Sequence, residues 1–226
     1  MATIIVSYDG TAGDRDALEL ARLLVDSAGS LALAYVRHAH EVEHGRERLA
    51  AREAEALLEE GARLLGNAGV PRHLVVSAST PAGLRDLAVR EGADLIVFGS
   101  EYRTAPGHVD PQASARRLLD GGPVTLAIAP AGFADGDHMI GTVAAIGETG
   151  DPCARETAES IAARLGAELV APGEGEADLV VVGSKPGTAN GRVTVSAAAG
   201  YVIELARCPV VVVPRGVALA FSAGGA

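Results

Sequence analysis

Three sets of residues in this 226-residue chain could do chemistry. Asp9 stands directly after the first β-rich run and heads the sequence Asp9-Gly10-Thr11. A carboxylate at a strand end can accept from the hydroxyl or amino groups of a ligand, and Asp-Gly is equally ordinary turn chemistry. His38, His40 and His44, with Glu41 and Glu43, are metal-ligand types, but their spacing matches neither a helical nor a zinc-finger pattern, so a solvated loop with no metal is expected. Cys153 and Cys208 form no disulfide framework and have no metal-ligand spacing; they read as small buried hydrophobes. No Gly-x-Ser-x-Gly elbow and no Gly-x4-Gly-Lys-(Ser/Thr) loop occurs. Carboxylate pairs such as Glu59-Glu60 fall on exposed helix faces as solvated charge. The residues support no catalytic constellation, and a non-enzymatic protein is expected.

The elements that must position these residues alternate between short β-rich runs and amphipathic segments, the pattern of βαβ units on a parallel sheet. Thr3 to Tyr8 reads as a strand and Asp14 to Ala28 as a helix, with Leu20, Leu24 and Ala28 on its buried face. Leu31 to Val36 is the second strand, and Glu47 to Leu65 the longest helix, with Ala54, Leu58, Ala62 and Leu65 inward. A strand at Leu74 to Ala78 follows, then a helix with Thr80 as N-cap and Pro81 in its first turn, stopping at Gly92. Ala93 to Gly99 is nearly all apolar, as befits a strand buried on both faces. A loop, a short helix with Leu118 and Leu119, and the strand Val124 to Ala129 complete five strands of a doubly wound, open parallel α/β sheet.

The second half repeats the first. Ala177-Asp178-Leu179-Val180-Val181-Val182-Gly183-Ser184 echoes Ala93-Asp94-Leu95-Ile96-Val97-Phe98-Gly99-Ser100 at an offset of 84 residues, and Pro209 to Pro214 matches Pro123 to Pro130. The reading is a full domain over 1–131, a polar linker, and a truncated copy of about four strands over 139–216. One helix, Asp151-Pro152 to Leu165, and a strand, Glu168 to Ala171, fit where the first half has room for two more helices and another strand. The truncated sheet should bare an edge and an apolar face, for which the first copy is the expected cover, making a pseudo-dimer within one chain. Residues 217–226 read as either an edge strand or a tail.

These residues resemble the universal stress protein family, particularly its tandem forms. The resemblance is carried by Val6 to Thr11, by the two Ala-Asp-Leu-(Ile/Val)-Val-x-Gly-Ser runs, and by Cys208 to Pro214. It implies an adenine nucleotide alpha hydrolase-like fold and a cytoplasmic stress-response protein, dimeric or pseudo-dimeric, often binding ATP or AMP. The family's site lies at the carboxyl ends of the strands. There Asp9, Gly10 and Thr11 would meet ribose or adenine, Val36 would lie beneath the base, and a Gly-x2-Gly-x9-Gly-(Ser/Thr) loop would cradle phosphate. This sequence departs from that loop. After Gly99 and Ser100, the second glycine is Tyr102 and the final pair is Gln112-Ala113, leaving Gly107 and Ser114 as partial substitutes. After Gly183 and Ser184 come Pro186 and Ser196-Ala197, with Gly187 and Gly191 nearby. The first-strand carboxylate of the second copy reads as lost, with Ile146 near its place. Mg2+ would enter only with ATP. The alternatives are slow ATPase or phosphoryl chemistry, and sensing of another small molecule in the same cleft.

Composition narrows the partners. With 48% apolar residues, 3% aromatics and no Trp, the core must be layered from Ala, Val, Leu and Ile. A net charge of −10 repels phosphate backbones, so no nucleic acid is expected. No apolar run reaches the roughly 20 residues a membrane helix needs, so no membrane is expected and the cytoplasm is the default. A protein partner, unidentified, and a homodimer remain open.

Overall fold

The computed structural model describes residues 2–25, 29–38, 44–136, 138–173 and 176–221. Its first half runs β1 (Thr3–Ser7), α1 (Gly13–Leu24), β2 (Ser30–His38), α2 (His44–Leu64), β3 (Arg72–Ser77), α3 (Thr80–Glu91), β4 (Leu95–Phe98), α4 (Ala113–Leu118) and β5 (Thr125–Ile128). A short 3-10 turn, Phe133–Asp135, leads to the second half: β6 (Thr142–Ile146), α5 (Cys153–Leu165), β7 (Glu168–Val170), β8 (Leu179–Val182), α6 (Ala197–Leu205) and β9 (Val210–Val212). Ala28, placed by periodicity on the α1 face, lies outside the described residues.

Among the described residues nine strands form one sheet, in the order β3-β2-β1-β4-β5-β9-β8-β6-β7. The two apolar runs expected at its centre are there because their side chains have apolar neighbours on both faces: every residue of β4 and β5 is buried. One core lies under α1, α2 and α5, around Leu20, Leu58 and Ile161. The other lies under α3, α4 and α6, around Leu87, Leu118 and Ile203. Helices on both faces of a mostly parallel sheet make the molecule a doubly wound α/β protein. No helix among the described residues is long and apolar enough to cross a membrane.

Within the sheet the halves join through the antiparallel pair β5 and β9. Leu126 faces Val212, Ala127 faces Val211, and Ile128 faces Val210. With the offset of 84, Ala127 meets its own counterpart and the flanking pairs exchange roles, as across a two-fold axis. Two loop hydrogen bonds obey the same rule: Val109 N–H donates to the Ala206 carbonyl at 3.2 Å, and Val193 N–H to the Gly122 carbonyl at 2.8 Å.

Three expectations change. The sheet is not wholly parallel, because β9 runs antiparallel to its neighbour β5. The first half does not cover the truncated edge: it joins through β9, whereas β7, beside which a further strand would have paired, ends the sheet on the far side. The α3 cap is Ser79, whose hydroxyl accepts from Ala82 N–H, rather than Thr80. As for the C-terminal segment, its described part adds no strand. Leu219 and Phe221 pack into the core beside α5, where their N–H groups donate to the hydroxyls of Thr157 (2.9 Å) and Ser160 (2.8 Å).

Candidate functional site

The turn after β1 brings Asp9, Gly10 and Thr11 together at the start of α1. Thr11 N–H donates to the Asp9 carboxylate at 3.1 Å, an Asx turn. Below it lies a second carboxylate that the sequence reading missed. Asp14 is buried, and its Oδ2 accepts from both Asp9 N–H (3.0 Å) and Gly10 N–H (2.6 Å). Burial, followed by the charge of Asp9, pushes the Asp14 carboxyl up to about 7. Helix α2 roofs this turn, since an ideal Cβ on Gly10 would lie 2.7 Å from Leu57 Cδ1.

The residues carried over from the glycine-rich loop are placed as follows. Gly99 faces backbone: a Cβ there would stand 2.0 Å from the Gly13 carbonyl oxygen. Ser100 is buried, donates to the Ala129 carbonyl at 2.7 Å and accepts from Asp110 N–H at 3.2 Å. Ser184 repeats this arrangement, donating to the Val213 carbonyl at 2.8 Å and accepting from Thr194 N–H at 3.2 Å. Each hydroxyl ties a strand end to its neighbour and to the following loop. Replacing either serine by alanine leaves a buried carbonyl and N–H without that partner. We therefore expect Ser100→Ala and Ser184→Ala each to cost about 1–3 kcal/mol, read from urea unfolding, with comparable losses in the two halves.

Gly107 N–H donates to the Ala131 carbonyl and Gly191 N–H to the Arg215 carbonyl, both at 2.8 Å, again 84 residues apart. Ser196 caps α6, accepting from Ala199 N–H at 3.1 Å, while Ser114 sits half-buried in the first turn of α4. Val36 is a core residue on the α3 side, against Gly83, where a Cβ would lie 2.8 Å from Val36 Cγ1. The structure thus gathers Asp9 to Thr11 with Gly99 around the start of α1.

In the second half, strand register corrects one expectation. Ile4 pairs with Leu95 as Val143 pairs with Leu179. Counting onward, Ser7 corresponds to Ile146 and Asp9 to Glu148, so a carboxylate stands after β6. The roof differs, because only a short connection joins β7 to β8 and, among the described residues, no helix there corresponds to α2. The carboxyl ends of β6 and β7 therefore open into a cavity of about 660 Å3, lined by Glu148, Thr149, Asp151, Arg155, Leu169 and Val170 among others. Asp151 is held below the usual carboxylate range. Burial works to raise it, but hydrogen bonds from Cys153 and Gly216 N–H and the nearby Arg215 guanidinium outweigh that.

Both cysteines have environments that disfavour thiolate. Burial leads in pushing Cys153 up to about 12 and Cys208 up to about 11. Of the histidine cluster, His38 Nε2 lies 3.2 Å from Thr80 Oγ1. His40, Glu41, Glu43 and the His44 side chain lie outside the described residues. No group of three or more metal-ligand types converges among the described residues.

A universal stress protein from Archaeoglobus fulgidus superposes over 95% of this chain and 98% of its own, with a TM-score of 0.69 at 14% identity. The chain has the universal stress protein fold. A functionally unknown protein from Pseudomonas aeruginosa superposes over 95% of this chain and 93% of its own, with a TM-score of 0.64 at 15% identity. An AMP-bound universal stress family protein from Arabidopsis thaliana aligns over 43% of this chain and 74% of its own at 14% identity. Its TM-score is 0.32, too low to carry a ligand across. No protein-family model matches the sequence, and a search of curated proteins gives no match.

Proposed function

We propose that this chain is a non-enzymatic regulatory protein of the universal stress type, an internal duplication whose second copy lacks two helices and one strand. The exchange of partners across β5 and β9 supports the duplication. We further propose that adenine nucleotide, ATP or AMP, binds in the second half. The observation that carries this is the open cavity beside Glu148. There the carboxylate can accept from ribose or adenine, the β6 and β7 ends form a wall, and no counterpart of α2 closes the site. The first half offers less, because Leu57 roofs Gly10.

Isothermal titration of ATP and AMP, with and without Mg2+, tests the reading on protein first checked for co-purified nucleotide. The expected result is micromolar binding that Glu148→Ala abolishes and Asp9→Ala leaves within about threefold, a difference below 1 kcal/mol. The opposite pattern would move the site to the first half, and no heat at millimolar nucleotide would overturn the proposal. Mg2+-dependent turnover would overturn the non-enzymatic part.

A further inference from the structure

A smaller cavity, of about 300 Å3, lies where the halves meet on the α4 and α6 side of the sheet. Its floor is apolar and comes from both halves: Leu119 and Ile203, each 5% exposed or less, with Pro111 and Val195 beside them. These are counterparts at the offset of 84, so the cavity sits on the approximate two-fold axis. The rim departs from that symmetry in a useful way. Asp120 and Glu204 are counterparts and both acidic, but where the first half has Arg116 the second has Gly200. Arg116 is turned to a salt bridge with Asp110, while Gly200 leaves its side open, with no atom within 4 Å of where its Cβ would be.

The remaining wall carries Lys185, the only lysine in the sequence. Its backbone N–H donates to the Thr194 carbonyl at 2.8 Å, and Thr194 in turn bridges to Asp120, so cation and carboxylate flank one residue. Among the described residues, the side chains of Lys185, Asp120 and Glu204 have no hydrogen-bond or ion-pair partner.

We infer that this junction cavity is a binding site for a small zwitterion with an aliphatic side chain, an amino acid of the leucine or valine kind. Lys185 takes its carboxylate, Asp120 and Glu204 its ammonium, and the Leu119 and Ile203 floor its alkyl group. The volume is at the lower end of small-molecule sites, about 300–1,000 Å3, which suits an amino acid and leaves no room for a nucleotide. Opposite charges on the rim of an apolar floor favour a ligand carrying both, because each end of a zwitterion then meets a group of opposite charge. Ligand here touches both halves, so binding would tie them together.

The single lysine makes the test direct: apart from the terminal amine, amine-selective acylation reports on Lys185 alone. L-leucine and L-valine should slow acylation of Lys185, followed by peptide mass spectrometry, and give a saturable heat in titration. Lys185→Met should weaken binding by at least about tenfold, and Lys185→Arg should restore it to within about threefold. Gly200→Leu adds a good helix former where space is open, so it should fold while filling the cavity and abolishing binding. A far-UV spectrum and melting curve check that it has folded. Three results would each overturn the inference: no protection or heat from aliphatic amino acids at millimolar concentration, unchanged binding in Gly200→Leu, or equal binding of 4-methylpentanoate or isoamylamine, which lack one of the two charges.

Discussion

Replacing Gly99 by alanine is expected to cost more than about 4 kcal/mol and to leave little folded protein, while Gly183→Ala costs about 1 kcal/mol or less. The two glycines occupy the same place in the repeated Ala-Asp-Leu-x-Val-x-Gly-Ser runs, so sequence logic assigns them one role. Their surroundings differ. A Cβ on Gly99 would lie 2.0 Å from the Gly13 carbonyl oxygen, 2.4 Å from its carbon and 2.7 Å from its Cα. These are backbone atoms, and neither side can yield: β4 is wholly buried between β1 and β5, and a Cβ on Gly13 would itself lie 2.6 Å from the Ser100 carbonyl oxygen. The first turn of α1 rests on the β4 end with only glycine between them. On Gly183 the nearest atoms to a new Cβ are Ala154 Cβ and Glu148 N, both at 3.4 Å, which is ordinary contact. Soluble yield and urea midpoints of the two variants check this. If Gly99 served chiefly as a phosphate cradle, both variants would keep their stability and lose ligand; a Gly99→Ala protein with an unchanged midpoint would support that view.

This pair also marks how far the sequence could be read. Runs such as Leu95–Phe98 and Thr125–Ile128 are legible because a strand buried on both faces needs apolar residues at consecutive positions. The offset of 84 is legible because it preserves the same strand, loop, helix and strand in both halves. Contacts are not. Asp110 and Ala129 meet the Ser100 hydroxyl from 10 and 29 residues away, and a motif containing Ser100 reads the same whether that hydroxyl faces ligand or carbonyl. Glu148 is not legible because the recognisable repeat begins only at Ala177 and the connections before it differ in length between the halves. The pairing of Val143 with Leu179 supplies that alignment, which no local pattern contains. The antiparallel join of β5 and β9 was missed for a related reason: apolar runs show that a strand is buried, and say nothing about the direction of its neighbour.

Stability is expected to fall as pH rises from about 4 to about 8, and Asp14→Asn is expected to remove most of that fall. In the unfolded chain Asp14 titrates near the ordinary carboxylate value of about 3.9. In the folded protein burial, then the charge of Asp9, raises it to about 7. Between those values the native state holds the proton more tightly, so its stabilising effect is complete below the unfolded value and is lost as pH passes through the folded one. The separation corresponds to about 4 kcal/mol at alkaline pH. Asparagine keeps what the carboxylate provides structurally. Its amide oxygen can accept from Asp9 N–H and Gly10 N–H as Oδ2 does, without a charge to bury. Urea midpoints should nearly coincide near pH 4 and separate progressively in favour of Asp14→Asn up to pH 8.5. Parallel profiles would mean that Asp14 is already ionised at neutral pH and that its two N–H donors outweigh burial. Asp9→Asn separates the causes. It removes the second of them and leaves burial, so it should move the wild-type fall to lower pH without abolishing it. A fall that vanished in Asp9→Asn would instead make the proximity of the two carboxylates, rather than the buried position of Asp14, the source of the pH dependence.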